Sequence, residues 1–386
     1  MMLSAGWLLL SFSGISQHAY DSLRIKTPKH YFQTQIYFDA YRKPNQNIID
    51  STSILDDRLK SYGIRQLNLV FCTPIKTNQF ISADSSIYTN THYLLTGHLL
   101  SLRPQFNGIA QHNLVKLGLG LRIIHNTGKK GLWFIDIAPF FTRDVTFRDR
   151  NGYLRLANSF IYSYNFSPRF NLRAGLTKSF LWGNRNYLPY IGMRIGKLDG
   201  VHFSLQIPKN ISLNIPINRN NRISIFTRPQ GGMFTFSNKD SLYYFNREAD
   251  FFNFTRYEIL SGLRYDAAFG KVFSMYIALG LSTRNNVTFY SESANANRPR
   301  APYRKYFYMK DFGPTGFINL GMVFKFGKTK SYYNQHNMYE AMDLNNSEGI
   351  GNNTPLNPFN IPVHENVKKS KLNLADVQDL IDANDF

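Results

Sequence analysis

The chain is 386 residues long, 43% hydrophobic and 15% aromatic, with 32 Phe and 24 Tyr, and it carries a formal charge of +20 (pI near 9.8). A single cysteine, Cys72, excludes an intramolecular disulfide and any cysteine-pair metal spacing. So positive a charge raises nucleic acid as a partner, but the basic residues are spaced singly, without a dense patch or a recognisable motif, so no nucleic-acid partner is expected.

At the start of the chain an apolar run from Ala5 to Phe12 is followed by Gly14-Ile15-Ser16, a small-x-small site. This reads as a signal peptide over 1–16, although the usual basic n-region is missing, with Gln17 the first mature residue and 17–29 a periplasmic N-terminal segment. No cysteine follows the run, which argues against a lipid-anchored protein. No other apolar run approaches the ~18 residues a membrane helix needs.

From residue 30 to 327 the sequence alternates with period 2, the signature of β-strands with one apolar face. In "LVKLGLGLRII", Val115, Leu117, Leu119, Leu121 and Ile123 oppose Lys116, Gly118, Gly120 and Arg122. In "PRFNLRAGLTKSF", Phe170, Leu172, Ala174 and Leu176 oppose Arg169, Asn171, Arg173 and Gly175. In "YLPYIGMRIG", Tyr187, Pro189, Ile191, Met193 and Ile195 oppose Tyr190, Gly192 and Arg194. Similar runs begin near Phe32, Leu67, Tyr93, Trp133, Leu154, Val201, Ile211, Ile223, Tyr257 and Phe273, and a last one spans Ile318 to Phe326. Loop parity supports hairpins with one shared apolar face: "PKN", "GKLDG" and "NRNNR" have odd lengths and preserve the odd phase of the apolar residues across them.

A soluble sandwich would alternate in the same way with its apolar face turned inward. Three features favour lipid outside and a polar lumen inside. The polar face is rich in Gly and isolated Arg, and aromatics crowd strand ends in "NSFIYSYNF", "SLYYFNREADFFNF" and "YRKYFYMKDF", as interfacial girdles would. The last strand carries Leu320, Met322, Phe324 and Phe326 at alternate positions and ends on Phe, which looks like the closing signal read by outer-membrane assembly machinery. The expected fold is all-β: a transmembrane antiparallel up-and-down β-barrel of about 14 strands, with 12 to 16 allowed because 221–250 holds one hairpin or two. Short turns at "NFSP" and "DAAFGK" and a long connection from Arg284 to Pro314 put both termini in the periplasm, in the outer membrane of a Gram-negative cell.

Beyond Gly327 the composition changes to Asn- and Pro-rich, and residues 328–386 read as a polar, disordered periplasmic tail. It ends in a short helix with Leu374, Val377, Leu380 and Ile381 on one face, expected to stay solvated or to dock on a periplasmic partner or the barrel mouth. The tail holds five lysines against eight carboxylates, a net of −3, so the positive charge belongs to the barrel.

On these strand phases Lys116, Arg122, Arg155, Arg173, Arg194, Arg264 and Lys325 face the lumen, with Asp136, Glu258 and Asp266 among fewer acids. They either form ion-pair ladders in a filled interior or lower the energy of anions in a pore. Catalysis is not expected. His92, His98, His112 and His125 have no Ser-His or Asp-His motif beside them, and His92 and His98 sit about 20 Å apart along one strand, too far to share a metal. "RDVTFRDRNGY", with Asp144 and Asp149, reads as a hairpin loop, and "GLGLRI" is a strand rather than a phosphate loop. No catalytic residue, cofactor or metal is expected.

The signal peptide, the Tyr/Phe/Asn-rich strands and hairpins such as "FSLQIPKNISLNIPI" resemble the uncharacterised outer-membrane β-barrel families common in Bacteroidota. The resemblance implies lipid and the assembly machinery as partners and supplies no catalytic residues. Two roles are expected: a porin-like pore with a basic lumen for small anionic solutes, or a non-conducting envelope scaffold linked to secretion or surface assembly through the tail.

Overall fold

The computed structural model describes residues 22–23, 34–47, 61–82, 88–106, 111–127, 131–146, 152–167, 169–178, 180, 187–197, 200–218, 220–237, 251–270, 272–293 and 303–326. The expected signal peptide, the expected tail and its terminal helix, and Asp149 lie outside them.

All the described regular structure is β. In chain order the strands are β1 (Ser22–Leu23), β2 (Thr34–Asn47), β3 (Ser61–Ser82), β4 (Tyr88–Phe106), β5 (Leu114–Thr127), β6 (Gly131–Asp144), β7 (Gly152–Ser167) and β8 (Phe170–Lys178). They continue as β9 (Leu188–Gly196), β10 (His202–Ile207), β11 (Asn210–Pro216), β12 (Asn221–Ser237), β13 (Phe251–Phe269), β14 (Phe273–Ser293), β15 (Tyr303–Phe312) and β16 (Thr315–Phe326). Each strand from β2 to β14 pairs antiparallel with the next, β14 also pairs β16, and β16 pairs β2, so fourteen strands close into a barrel. Only β1, laid along the end of β3, and β15, paired to β14 alone, stand off the ring. All fourteen alternating runs of the sequence are barrel strands, and β12 is one long strand rather than an additional hairpin.

The oily side chains point outward. Leu320, Met322, Phe324 and Phe326 of the final strand are exposed, as are Leu117, Leu119 and Leu121 of β5 and Ile191 and Ile195 of β9. Their polar neighbours on the same strands are buried inside the ring. An apolar exterior on a closed barrel is stable only in lipid, so the wall spans a membrane. The first and last wall strands meet with Phe326 opposite Thr34, which defines a terminal rim. The turns on this rim are short, including 168–169, 217–220 and 270–272, whereas most connections at the far rim are longer. Aromatic pairs line two arcs of the terminal rim: Trp133 packs on Tyr162, Phe166 on Tyr164 and Phe170, and Phe273 on Phe269 and Phe324.

At the far rim one expectation is refined and one fails. The stretch from Arg284 to Pro314 is no plain loop, because β14 runs on to Ser293 and β15 returns beside it. The aromatics of "FFNF" do not join a girdle, because Phe252 and Phe254 are fully buried inside the barrel. Both differences have one cause: the far ends of β12, β13 and β14 turn inward. β12 carries Pro229-Gln230-Gly231-Gly232 at the bend where it turns inward, and its pairing with β13 keeps register through this stretch. β13 and β14 meet at a bulge between Tyr257 and Ile259, and Arg284 opposite it has φ 48°, a left-handed conformation that favours such a kink. Above this level residues 231–236, 252–256 and 287–290 are buried on both faces.

Candidate functional site: the barrel interior and its folded-in flap

The flap made by the far ends of β12–β15 lies across the barrel and reaches β5 and β6 on the opposite wall. One face is aromatic. Phe234, Phe236, Phe254 and Phe289 pack on each other and on Phe106 of β4, while Phe312 of β15 meets Tyr62 of β3. With Leu100, Leu102 and Leu114 they form one apolar cluster within the lumen. The other face carries Met233, Thr235, Asn253 and Tyr290 and turns towards β6 and β7. There Thr235 hydrogen-bonds Thr142, the Arg155 guanidinium donates to Asn253 Oδ1 at 2.9 Å and to Thr142, and Met233 and Tyr290 pack near Phe140 and Phe180.

Below the flap lies a polar network centred on Glu258, at the bulge. Its carboxylate accepts from Lys43 Nζ at 3.0 Å, Arg256 Nη1 at 2.9 Å and Ser282 Oγ at 2.7 Å. Lys43 also donates to Asn285 Oδ1 at 2.9 Å, and Arg256 donates to Gln66 of β3. All the charged members are buried, so each charge needs these partners to offset its desolvation. A second chain of contacts lies nearer the terminal rim. Asp39 accepts from Asn68 and from the Tyr276 hydroxyl, both at 2.7 Å. The Arg264 guanidinium lies 4.0 Å from the centre of the Tyr276 ring, and Asp266 accepts from Arg264 at 2.6 Å and from Arg222 at 3.3 Å. Gly321 makes this possible: a Cβ there would stand 2.0 Å from the Tyr276 ring.

Each basic residue singled out from the strand phases faces inward. Arg122 pairs Asp136, its register partner on the next strand, at 3.1 Å. Lys116 lies 4.0 Å over the Phe140 ring, and Arg173 Nε donates to Asn171 Oδ1 at 2.8 Å. Arg194 donates to the Gly196 carbonyl, Arg155 joins the flap, Arg264 holds Asp266, and Lys325 is buried near the terminal rim. The ladders thus exist for Asp136, Glu258 and Asp266. Sequence reasoning missed Lys43, Arg222, Arg228 and Arg256, although extending the inward phase of β2, β12 and β13 would have found them. Among the described residues eleven lysines and arginines are buried against five carboxylates, so the interior is strongly cationic.

The histidines fall differently. His92 and His98 are buried on β4, and Thr77 and Thr91 hydrogen-bond His92 and His125. His112 has an acidic partner that the sequence spacing hid: Asp144, 32 residues away, meets its Nδ1 at 2.5 Å and also accepts from the Thr146 amide. Phe236 of the flap stacks on the His112 ring at 3.8 Å. Among the described residues no group of three or more His, Cys, Asp or Glu could hold a metal ion.

No family model and no curated protein matches the chain. Solved structures that resemble it include the beta domain of the Bordetella autotransporter BrkA, at 8% identity and TM-score 0.27, covering 77% of this chain and all of that one. A Pseudomonas aeruginosa FadL homologue aligns at 8% identity and TM-score 0.26 over 76% of this chain and 90% of that one.

Proposed function

We propose that the protein is an outer-membrane barrel with periplasmic termini, whose cationic interior passes small anionic solutes once the flap leaves the far mouth. The observation that carries this reading is the surplus of buried cations over carboxylates behind the flap. Fixed positive charge in a confined polar interior lowers the energy of an anion and raises that of a cation. The flap, filling the far mouth with ring against ring, makes the resting state a closed one.

The test is conductance of the purified full chain in planar bilayers. The native protein is expected to be nearly silent, and a Phe234→Ser/Phe236→Ser/Phe254→Ser variant to open with anion preference in a salt gradient. Silence from a correctly folded flap variant would reject the pore. It would favour the second reading, a non-conducting scaffold, which the two-sided packing of the flap supports. Partners captured by the chain, and lost on deleting residues 328–386, would then define it.

A further inference from the structure

The outer wall carries one arrangement that neither pore nor scaffold uses. Arg42 of β2 lies directly opposite Arg65 of β3, and Arg65 directly opposite Arg103 of β4. All three side chains are exposed on the outside. Neighbouring Cα atoms in such pairs are about 4.5–5.5 Å apart, so three guanidinium groups share one patch. Like charges set opposite one another destabilise a sheet. No other register pair among the described residues joins two lysines or arginines. None of the three makes a side-chain hydrogen bond or ion pair with a described residue.

The height of the row fixes what meets it. On the terminal side it borders the exposed Phe38, Leu67, Leu69 and Leu99. Along β3 the apolar exterior runs from Leu67 to Ile75 and gives way to the exposed Lys76. Ten residues from Arg65 to Ile75 span roughly 33 Å of strand, and at a tilt of about 40° this is close to the ~25 Å apolar band of a membrane barrel. The row therefore stands where the hydrocarbon ends and headgroups begin, on the leaflet at the far rim.

We propose that Arg42, Arg65 and Arg103 form a binding site for the phosphate group of a membrane lipid in that leaflet. The planar guanidinium fork matches phosphate oxygens in bidentate pairs, and three forks side by side offer more donors than one phosphate can saturate. A bound phosphate also removes the repulsion within the row, so protein and lipid stabilise each other. The lipid, rather than free phosphate, is the occupant because its acyl chains lie against the Phe38–Leu67–Leu99 surface directly beneath.

The experiment uses the full chain in nanodiscs of phosphatidylcholine doped with phosphatidic acid, with retained lipid counted by native mass spectrometry. Wild type is expected to enrich phosphatidic acid over phosphatidylcholine. Enrichment should fall on the order of fivefold for Arg65→Gln alone and roughly a hundredfold for Arg42→Gln/Arg65→Gln/Arg103→Gln. Arg65→Lys, which keeps charge and loses the fork, should fall between. Arg169→Gln/Lys197→Gln at the terminal rim serves as the control and should match wild type. Folding is checked by the heat-dependent gel shift of barrels, and if the triple variant fails it, Arg65→Gln decides. Equal enrichment in wild type and Arg65→Gln overturns the site. Enrichment absent from wild type, with inorganic phosphate binding to the detergent-solubilised chain instead, overturns the lipid as its source.

Discussion

The wall around β8–β11 and the arm formed by β12–β14 obey the same alternation and end up as opposites. The strands of the low wall are 6 to 9 residues long, with Ile191, Ile195 and Ile207 outward in lipid and Arg173, Arg194 and Asn214 inward. Strands β12–β14 run 17 to 21 residues, and beyond the bend the apolar side changes. In the wall part of β12 the apolar residues are Ile223 and Ile225, outward. Past Gly231-Gly232 they are Phe234 and Phe236, on the inward phase. β13 switches likewise, from Leu263 and Tyr265 outward to Phe252 and Phe254 inward, while β14 reaches the same face through its bulge. A strand that leaves lipid for the lumen must reverse its polarity, and these strands do.

If that reversal is what holds the flap, substitutions of similar size should cost very different amounts in the two regions. The largest effect is expected at Phe254, which packs on Phe106, Phe234, Phe236 and Phe289. Phe254→Ala should destabilise by about 3–5 kcal/mol, read from the denaturant midpoint in detergent. Leu263→Ala, nine residues along the same strand and facing lipid, should cost less than about 1 kcal/mol in the same assay, since its surroundings are fluid and close over the gap. Equal losses would mean the flap is not packed as a core.

Glu258→Gln comes next, because it removes the carboxylate from two buried cations and should cost about 3 kcal/mol. Its distinguishing readout is protease sensitivity at the far rim, which should rise while the terminal rim stays protected. Gly321→Val tests the wall alone. Displacing Tyr276 should cost about 1–3 kcal/mol, and the flap's sensitivity to protease should not change. Among the flap's contacts the smallest effect, about 1 kcal/mol, is expected for Thr142→Val, which loses the hydroxyl that meets Thr235 and Arg155.

The wall was legible residue by residue, because a period-2 pattern between two unlike solvents leaves its phase in every strand. Odd loops such as "PKN" fixed the face, and the observed register of Leu205 opposite Ile211 agrees. The inward phase placed Arg122 and Arg194 correctly for the same reason. The flap was not read, although its signal was present: Phe252 and Phe254 are out of phase with Leu263 and Tyr265, and that slip marks a change of environment. Aromatic content alone pointed to a girdle and concealed it. The His112–Asp144 pair had no sequence signal, because it joins the connection before β5 to the last residue of β6 through the pairing of those two strands. The arginine row also stayed hidden, since register between strands is set by the turns joining them and cannot be read from one strand.

The junction of β16 with β2 carries a consequence for how the molecule is made. Its nine register pairs join positions 276 to 292 residues apart, whereas most other wall pairs join neighbours in the chain. Every hairpin can zip as it emerges, but the circle cannot shut until its last strand arrives. Until then the backbone edge of β2 waits with its amides and carbonyls unsatisfied, a state tolerable only in water or in the care of another protein. The order of synthesis thus leaves the first strand exposed longest, and insertion into lipid must be timed to the last.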